Sequence, residues 1–335
     1  MATLHGNGLA EQLRKCWNCE FNWDLLPGNV KEGCVGVASL LSVPPLAILV
    51  GVQGVLSFAI AHAEVQVPNT MWREPGLLWL AIGMPTGTGK SIIKKYLIDL
   101  LRNVRERLKE DKISFSDQTF EKLGEVLFMT QPATALPLIV DNSKDANSPA
   151  ASHFLWVFPR PVFLDFNSLV TDGHKESWDA AREFTVLLED ILIMIFKAKA
   201  SAQDQEEVTN YSIEITKKRI FPKPMMSVKQ LLKTIVKLIH LCVVSIVVCV
   251  CGKHSGMCVV SIVVCVCGKH SAMSSKAKGQ YLCMSLPCHA LFLSRPLPDA
   301  LPSLIPEDAQ QAAISMVNLC IQHTQLLAAK NIHPQ

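Results

Sequence analysis

Met84-Pro85-Thr86-Gly87-Thr88-Gly89-Lys90-Ser91 is the stretch whose residue types and spacing could do chemistry. Glycine lets a main chain approach a ligand where a Cβ would collide, so the N–H groups around Gly87, Thr88 and Gly89 would wrap a β-phosphate. Lys90 would reach the β- and γ-phosphates, and Ser91 would place its hydroxyl on Mg²⁺. This is the Walker A pattern, a phosphate-binding loop, and its cofactors are ATP and Mg²⁺. One position departs from G-x-x-x-x-G-K-[ST]: Met84 stands where the pattern has glycine, and Gly83 lies one place earlier.

Such a loop works only between a strand and a helix. Leu77-Leu78-Trp79-Leu80-Ala81-Ile82 is continuously apolar, which predicts a strand of a parallel sheet covered on both faces. After the loop, Ile93, Leu97, Leu100, Leu101, Val104 and Leu108 recur at helical spacing, with Lys94, Lys95, Arg102, Arg105 and Arg107 mostly between them. That pattern predicts one face on the sheet and one in water, with the first turn aimed at the phosphates.

A chain of 335 residues has room for one large domain or two ordinary ones. Its net charge of +3 gives no global pull on nucleic acid, so such a partner would need a local basic surface. The polar start, Met1 to Arg14, has no apolar segment of the secretory kind. The twelve cysteines are therefore expected as reduced thiols, and the protein as intracellular, cytoplasmic or nuclear.

Residues 1–33 read as polar and loop-rich. Cys16-Trp17-Asn18-Cys19 is a C-x-x-C pair, yet no second pair stands at a zinc-site spacing, and docking of Trp17, Phe21 and Trp23 on the domain is the favoured reading. Pro44-Pro45 is a helix-start signal, so Leu46 to Ala61 reads as a buried core helix, too short to span a bilayer and interrupted by Gln53. Val65 to Pro75 reads as a connecting loop.

With these pieces in order, the chain resembles an uncharacterised primase/helicase-like P-loop family of phage, mobile-element and some animal proteins. The residues that carry the resemblance are Pro44-Pro45 with its helix, Trp72-Arg73-Glu74-Pro75, and the strand and loop. After the loop they are Phe128-Met129-Thr130-Gln131-Pro132-Ala133, Phe154-Leu155-Trp156-Val157-Phe158-Pro159-Arg160-Pro161, Lys276 to Phe292 and Glu307 to Ala329. The resemblance implies a RecA-like α/β core that binds ATP, with no established substrate.

It also implies an acidic strand for Mg²⁺ and the attacking water, and the segment that would carry it is missing. Leu136-Pro137-Leu138-Ile139-Val140-Asp141 has the apolar-then-acid form, but Pro137 argues against a central strand. Val162-Phe163-Leu164-Asp165 is better formed, which makes Asp165 the catalytic candidate beside Lys90, against the blander reading of a solvated aspartate at a strand end. Where the family suggests an arginine, the chain has His153, which cannot replace a bidentate guanidinium.

Farther on, Trp178 to Ala200 reads as a helix with Phe184, Leu187, Leu188, Ile191, Leu192 and Ile195 inside, and Tyr211 to Ile215 alternates like a strand. Lys217-Lys218-Arg219 is a basic run without an aromatic platform, more often a solvated loop than a nucleic-acid contact. Cys242 to Ser255 is repeated unchanged from Cys258 to Ser271, the mark of a recent duplication or of translated non-coding sequence more than of a metal site. Leu231 to Cys251 approaches membrane length, but Lys233, Lys237 and His240 lie in it, so no stable membrane insertion is expected. Gln280 to Leu293 reads as a buried helix interrupted by Pro287. Glu307 to Lys330 reads as a final amphipathic helix with Ala313, Val317, Cys320, Ile321 and Leu327 inside.

The expected organisation is residues 1–75 as an N-terminal loop and apolar helix, 76–224 as an α/β P-loop NTPase-like (RecA-like) parallel-sheet core, 225–273 as a repeat-bearing insertion, and 274–335 as a helical end. The core is incomplete and carries helical additions at both ends. The expected function is ATP binding by a divergent helicase/primase-like ATPase with weak or no hydrolysis. A non-enzymatic nucleotide-binding remnant or a mis-joined gene model is the alternative, and a membrane-associated protein the third. The oligomeric state is not legible.

Overall fold

The structure, a computed structural model, describes residues 2–67, 71–113, 127–144, 154–162, 175–205, 210–213 and 271–328. Helices α1 (Ala2–Trp17), α2 (Gly28–Leu41) and α3 (Pro45–Ile60) come first, then strands β1 (Glu64–Gln66), β2 (Arg73–Pro75) and β3 (Trp79–Gly83) and helix α4 (Lys90–Glu110). Next are β4 (Leu127–Thr130), α5 (Pro132–Lys144), β5 (Phe154–Val157) and α6 (Lys175–Gln205). The chain ends in β6 (Asn210–Ile213), α7 (Ser271–Leu291), β7 (Leu304–Ile305) and α8 (Glu307–Ala328). It divides into two units, residues 1–215 with 279–335, and residues 216–278. Of the second unit only 271–278 are described, within α7. Both sheets and the loop from Met84 to Ser91 belong to the first.

β3 lies between β4 and β5, parallel to both, with Gly83 paired to Thr130 and Ile82 to Val157. Leu80 and Ile82 turn to one core, shared with Leu127, Leu155 and Val157 and with the inner faces of α2, α3, α4 and α6. Ala81 turns to the other, with Trp156 and Phe158, Ala135 and Ile139 of α5, Leu13 and Cys16 of α1, and Leu327 of α8. Both faces are covered, which is why the strand is apolar throughout rather than alternating. The chain leaves β3 for β4 on one side and then crosses to β5 on the other, so the strand order reverses at β3. In open parallel sheets the crevice at the carboxyl end of such a strand is where ligands bind.

The six predicted inner residues of α4 are all buried. Its far end is pinned to α6: Arg107 pairs with Glu189 and Asp190, Asp190 also holds Arg295, and Asn103 donates to Glu189 at 2.9 Å. In α3, residues 47–60 are buried all round, as expected of a core helix. Among the described residues no single helix is long and apolar enough to cross a membrane; α2 and α3 pass that test only as a pair, bent by 113°.

Several expectations are corrected. The polar start is not loop-rich: α1 and α2 occupy most of it, because Leu9, Leu13, Cys16 and Trp17 fall on one side and pack into the core that α8 completes. Val65 to Pro75 is not only a connection, since β1 and β2 pair antiparallel there, Glu64 with Pro75 and Gln66 with Arg73. They belong to a second sheet of order β2-β1-β6-β7, in which β6 and β7 are parallel to their neighbours. The run Leu136 to Asp141 is not a strand but part of α5, with Pro137 inside the helix. α7 likewise runs through Pro287 without a break.

Candidate functional site

At the carboxyl end of β3 the loop begins while the sheet is still pairing: the Met84 N–H donates to the Thr130 carbonyl at 3.0 Å. Gly83 packs against Phe158 so closely that a Cβ there would stand 2.2 Å from Cε1 of that ring. Met84 buries its side chain in the core beneath α4. The departure from the sequence pattern therefore has a steric cause, since the tight position falls at residue 83 and its neighbour has room for a side chain.

Gly87 and Gly89 hold φ of 79° and 90°, the left-handed region that other residues enter at a cost. Around Gly87 there is open space, whereas a Cβ on Gly89 would come within 2.4 Å of Cγ1 of Val43, in the link between α2 and α3. Thr88 is buried, and its hydroxyl donates to the Pro85 carbonyl at 2.7 Å, closing the turn. Gly89 caps α4, and its carbonyl accepts the first helical bonds, from the Ile92 and Ile93 N–H groups at 3.0 Å each. The N–H groups of Gly89, Lys90 and Ser91 precede those bonds, so helix geometry leaves them available at the positive end of the dipole.

Lys90 opens the helix. Its Nζ donates to the carbonyls of Met84 at 2.8 Å and Pro85 at 2.7 Å, which lays the side chain along the loop. Partial withdrawal from water holds its pKa below the ordinary lysine value. An ammonium has three N–H donors, so one is left for a ligand beside these two contacts. Ser91, one residue on, is exposed in the first turn. The loop residues singled out in the sequence, Gly87, Thr88, Gly89, Lys90 and Ser91, are thus brought together in one turn of chain.

Asp165 and His153 lie outside the described residues, and Asp141 sits in α5 rather than at a strand end. The described continuations of the strands beside β3 carry Thr130-Gln131 on one side and Phe158-Pro159-Arg160 on the other, with no carboxylate. Among the described residues no group of three or more His, Cys, Asp or Glu side chains could hold a metal, and the C-x-x-C pair is no exception: Cys16 is buried, with its thiol pushed up to about 12 by desolvation. The spacing of Gln131 and Arg160 assigns them no role. Only the strand register shows Gln131 at the level of the loop, one residue past the pairing of Gly83 with Thr130.

The Leu231 to Cys251 stretch, the basic run 217–219 and the repeat, apart from Ser271 at the start of α7, lie outside the described residues. No family model, no curated protein and no solved structure matches the chain.

Proposed function

We propose that the chain binds ATP with Mg²⁺ through the loop from Met84 to Ser91, as a divergent P-loop protein of the RecA-like, helicase/primase-like kind that its motifs resemble. The observation that carries this reading is the coincidence of three features at one point. A glycine turn with two left-handed residues, a lysine at the first position of a long helix, and the reversal of strand order all meet at the end of β3. Phosphate oxygens need a concentration of N–H donors, one mobile cation and a helix N-terminus, and this loop offers all of them.

The donor set fits Mg²⁺ as well. That ion keeps most of its water and takes one or two protein oxygens beside the phosphates, and the exposed Ser91 hydroxyl supplies one. When bound, the ion would neutralise charge on the β- and γ-oxygens. Lys90 would turn its remaining donor to the same oxygens, and the N–H groups of Gly87 to Ser91 would fix their position.

Turnover is expected to be weak or nil. In-line attack needs an acid or amide to orient water and a cation to stabilise the γ-phosphate, and loss of an arginine finger alone costs roughly 10³ to 10⁵ in rate. Neither strand beside β3 ends in an acid, and Gln131 is the one amide at the described end of β4. The setting is intracellular, which the six described cysteines favour, being unpaired and mostly buried. The test is displacement of a fluorescent ATP analogue by unlabelled Mg-ATP. Displacement by Mg-ATP but not by Mg²⁺ alone supports the reading, and an analogue that does not bind at all overturns it.

A further inference from the structure

A second place in this unit has its own chemistry. A groove of 480 Å³ opens between the end of α1 and the chain after β5, lined by Arg14, Trp17, Asn18, Arg160 and Pro161. None of these belongs to the loop at Lys90. Arg14, Arg160 and Asn18 are exposed, Trp17 and Pro161 half-buried. The ion pairs among the described residues leave both arginines out. Its size lies in the range of small-ligand pockets, about 300 to 1,000 Å³.

His323 of α8 ties the two walls together. The Phe158 N–H donates to its Nδ1 at 3.1 Å, which leaves the ring hydrogen on Nε2, and that N–H donates to the Cys16 carbonyl at 3.0 Å. One buried ring therefore links the residue before Trp17 to the residue two places before Arg160. The groove is held by the core rather than by mobile surface chain.

We propose that this groove is a second anion site that takes a nucleoside monophosphate unit, with the phosphate on the guanidinium groups of Arg14 and Arg160 and the base on the Trp17 indole. Guanidinium is the side chain best shaped for phosphate oxygens, and an indole offers a flat face to any base. The Asn18 amide can both donate to and accept from a base edge. Such a unit comes either free or within a single strand of nucleic acid, and the two sources share this chemistry.

The experiment measures binding of fluorescein-labelled oligo-dT by anisotropy, and of AMP by calorimetry, to the full chain carrying Lys90→Ala so that the loop is out of play. Arg14→Gln and Arg160→Gln are added singly, and because both side chains are exposed the variants should keep the parent's circular dichroism. Each substitution should weaken whichever ligand binds by about 10-fold or more. Dependence of AMP alone on the arginines identifies a free mononucleotide. Dependence of the oligonucleotide alone, with a salt slope that falls by about 0.7 per arginine removed, identifies a strand. Affinities unchanged by both substitutions, or no binding of either ligand to the Lys90→Ala chain, would overturn the site, whereas the fate of ATP binding at the loop is read separately from Lys90.

Discussion

Phe158 and His323 stand 165 residues apart in the sequence and share a hydrogen bond of 3.1 Å, from the Phe158 N–H to Nδ1 of the imidazole. That bond exists only while Nδ1 is unprotonated. Desolvation agrees, pulling the His323 pKa down to about 4, and the Cys16 thiol beside it stays neutral. Burial lowers the pKa values of His62 and His289 in the same direction.

Stability should therefore fall on mild acidification. An unfolded imidazole titrates at about 6.5, so between there and about pH 4 the unfolded chain binds the extra proton and the folded chain does not. The contribution is complete above the unfolded value and is lost as pH falls through the folded one. For His323 the gap corresponds to about 3 kcal/mol. Urea unfolding at a series of pH values should show that loss in the parent and a flatter profile in His323→Gln. Parallel profiles would mean that the ring is not held neutral.

Gly89 and Gly87 should respond differently to alanine. Both would carry the cost of a left-handed backbone, about 1 to 2 kcal/mol each. Only Gly89 also meets Val43, so Gly89→Ala should be the more destabilising, and Val43→Ala should recover part of its extra cost in a double-mutant cycle. Thermal unfolding of the four chains of the cycle and of Gly87→Ala measures this. Additive effects at 43 and 89 would rule out the contact.

Phosphate release should stay far below binding. The steady-state rate with Mg-ATP, with and without single-stranded DNA, is expected to be near background, and Asp165→Asn and Asp141→Asn should change nothing. A turnover of about 1 per second, in the range of working phosphotransferases, that Asp165→Asn abolishes would give that aspartate the missing role.

The loop, its strand and its helix are legible in the sequence because each signal is local. Continuous apolarity marks β3, the 3.6-residue period marks α4, and glycine and lysine at fixed offsets mark the turn. α1 is hidden because its apolar side is short, interrupted by Gly6 and Gly8, and completed only by α8 at the far end of the chain. The strand form of Leu136 to Asp141 misleads because a short apolar run before an acid suits either element, and packing on α8 decides for a helix in α5. The groove is invisible for a similar reason: Arg14 and Arg160 line it from distant segments that His323 joins through Phe158 and Cys16, 165 and 307 residues away from it.

If Lys90 serves a bound nucleotide, titration calorimetry of Mg-ATP into the parent and Lys90→Ala separates the two chains. Loss of a charge-assisted contact to phosphate should weaken binding at the loop by more than about 2 kcal/mol, or about 30-fold, and by the same factor in chains that also carry Arg14→Gln to take the groove out of play. Equal affinity of parent and Lys90→Ala for Mg-ATP would rule out a nucleotide held by Lys90.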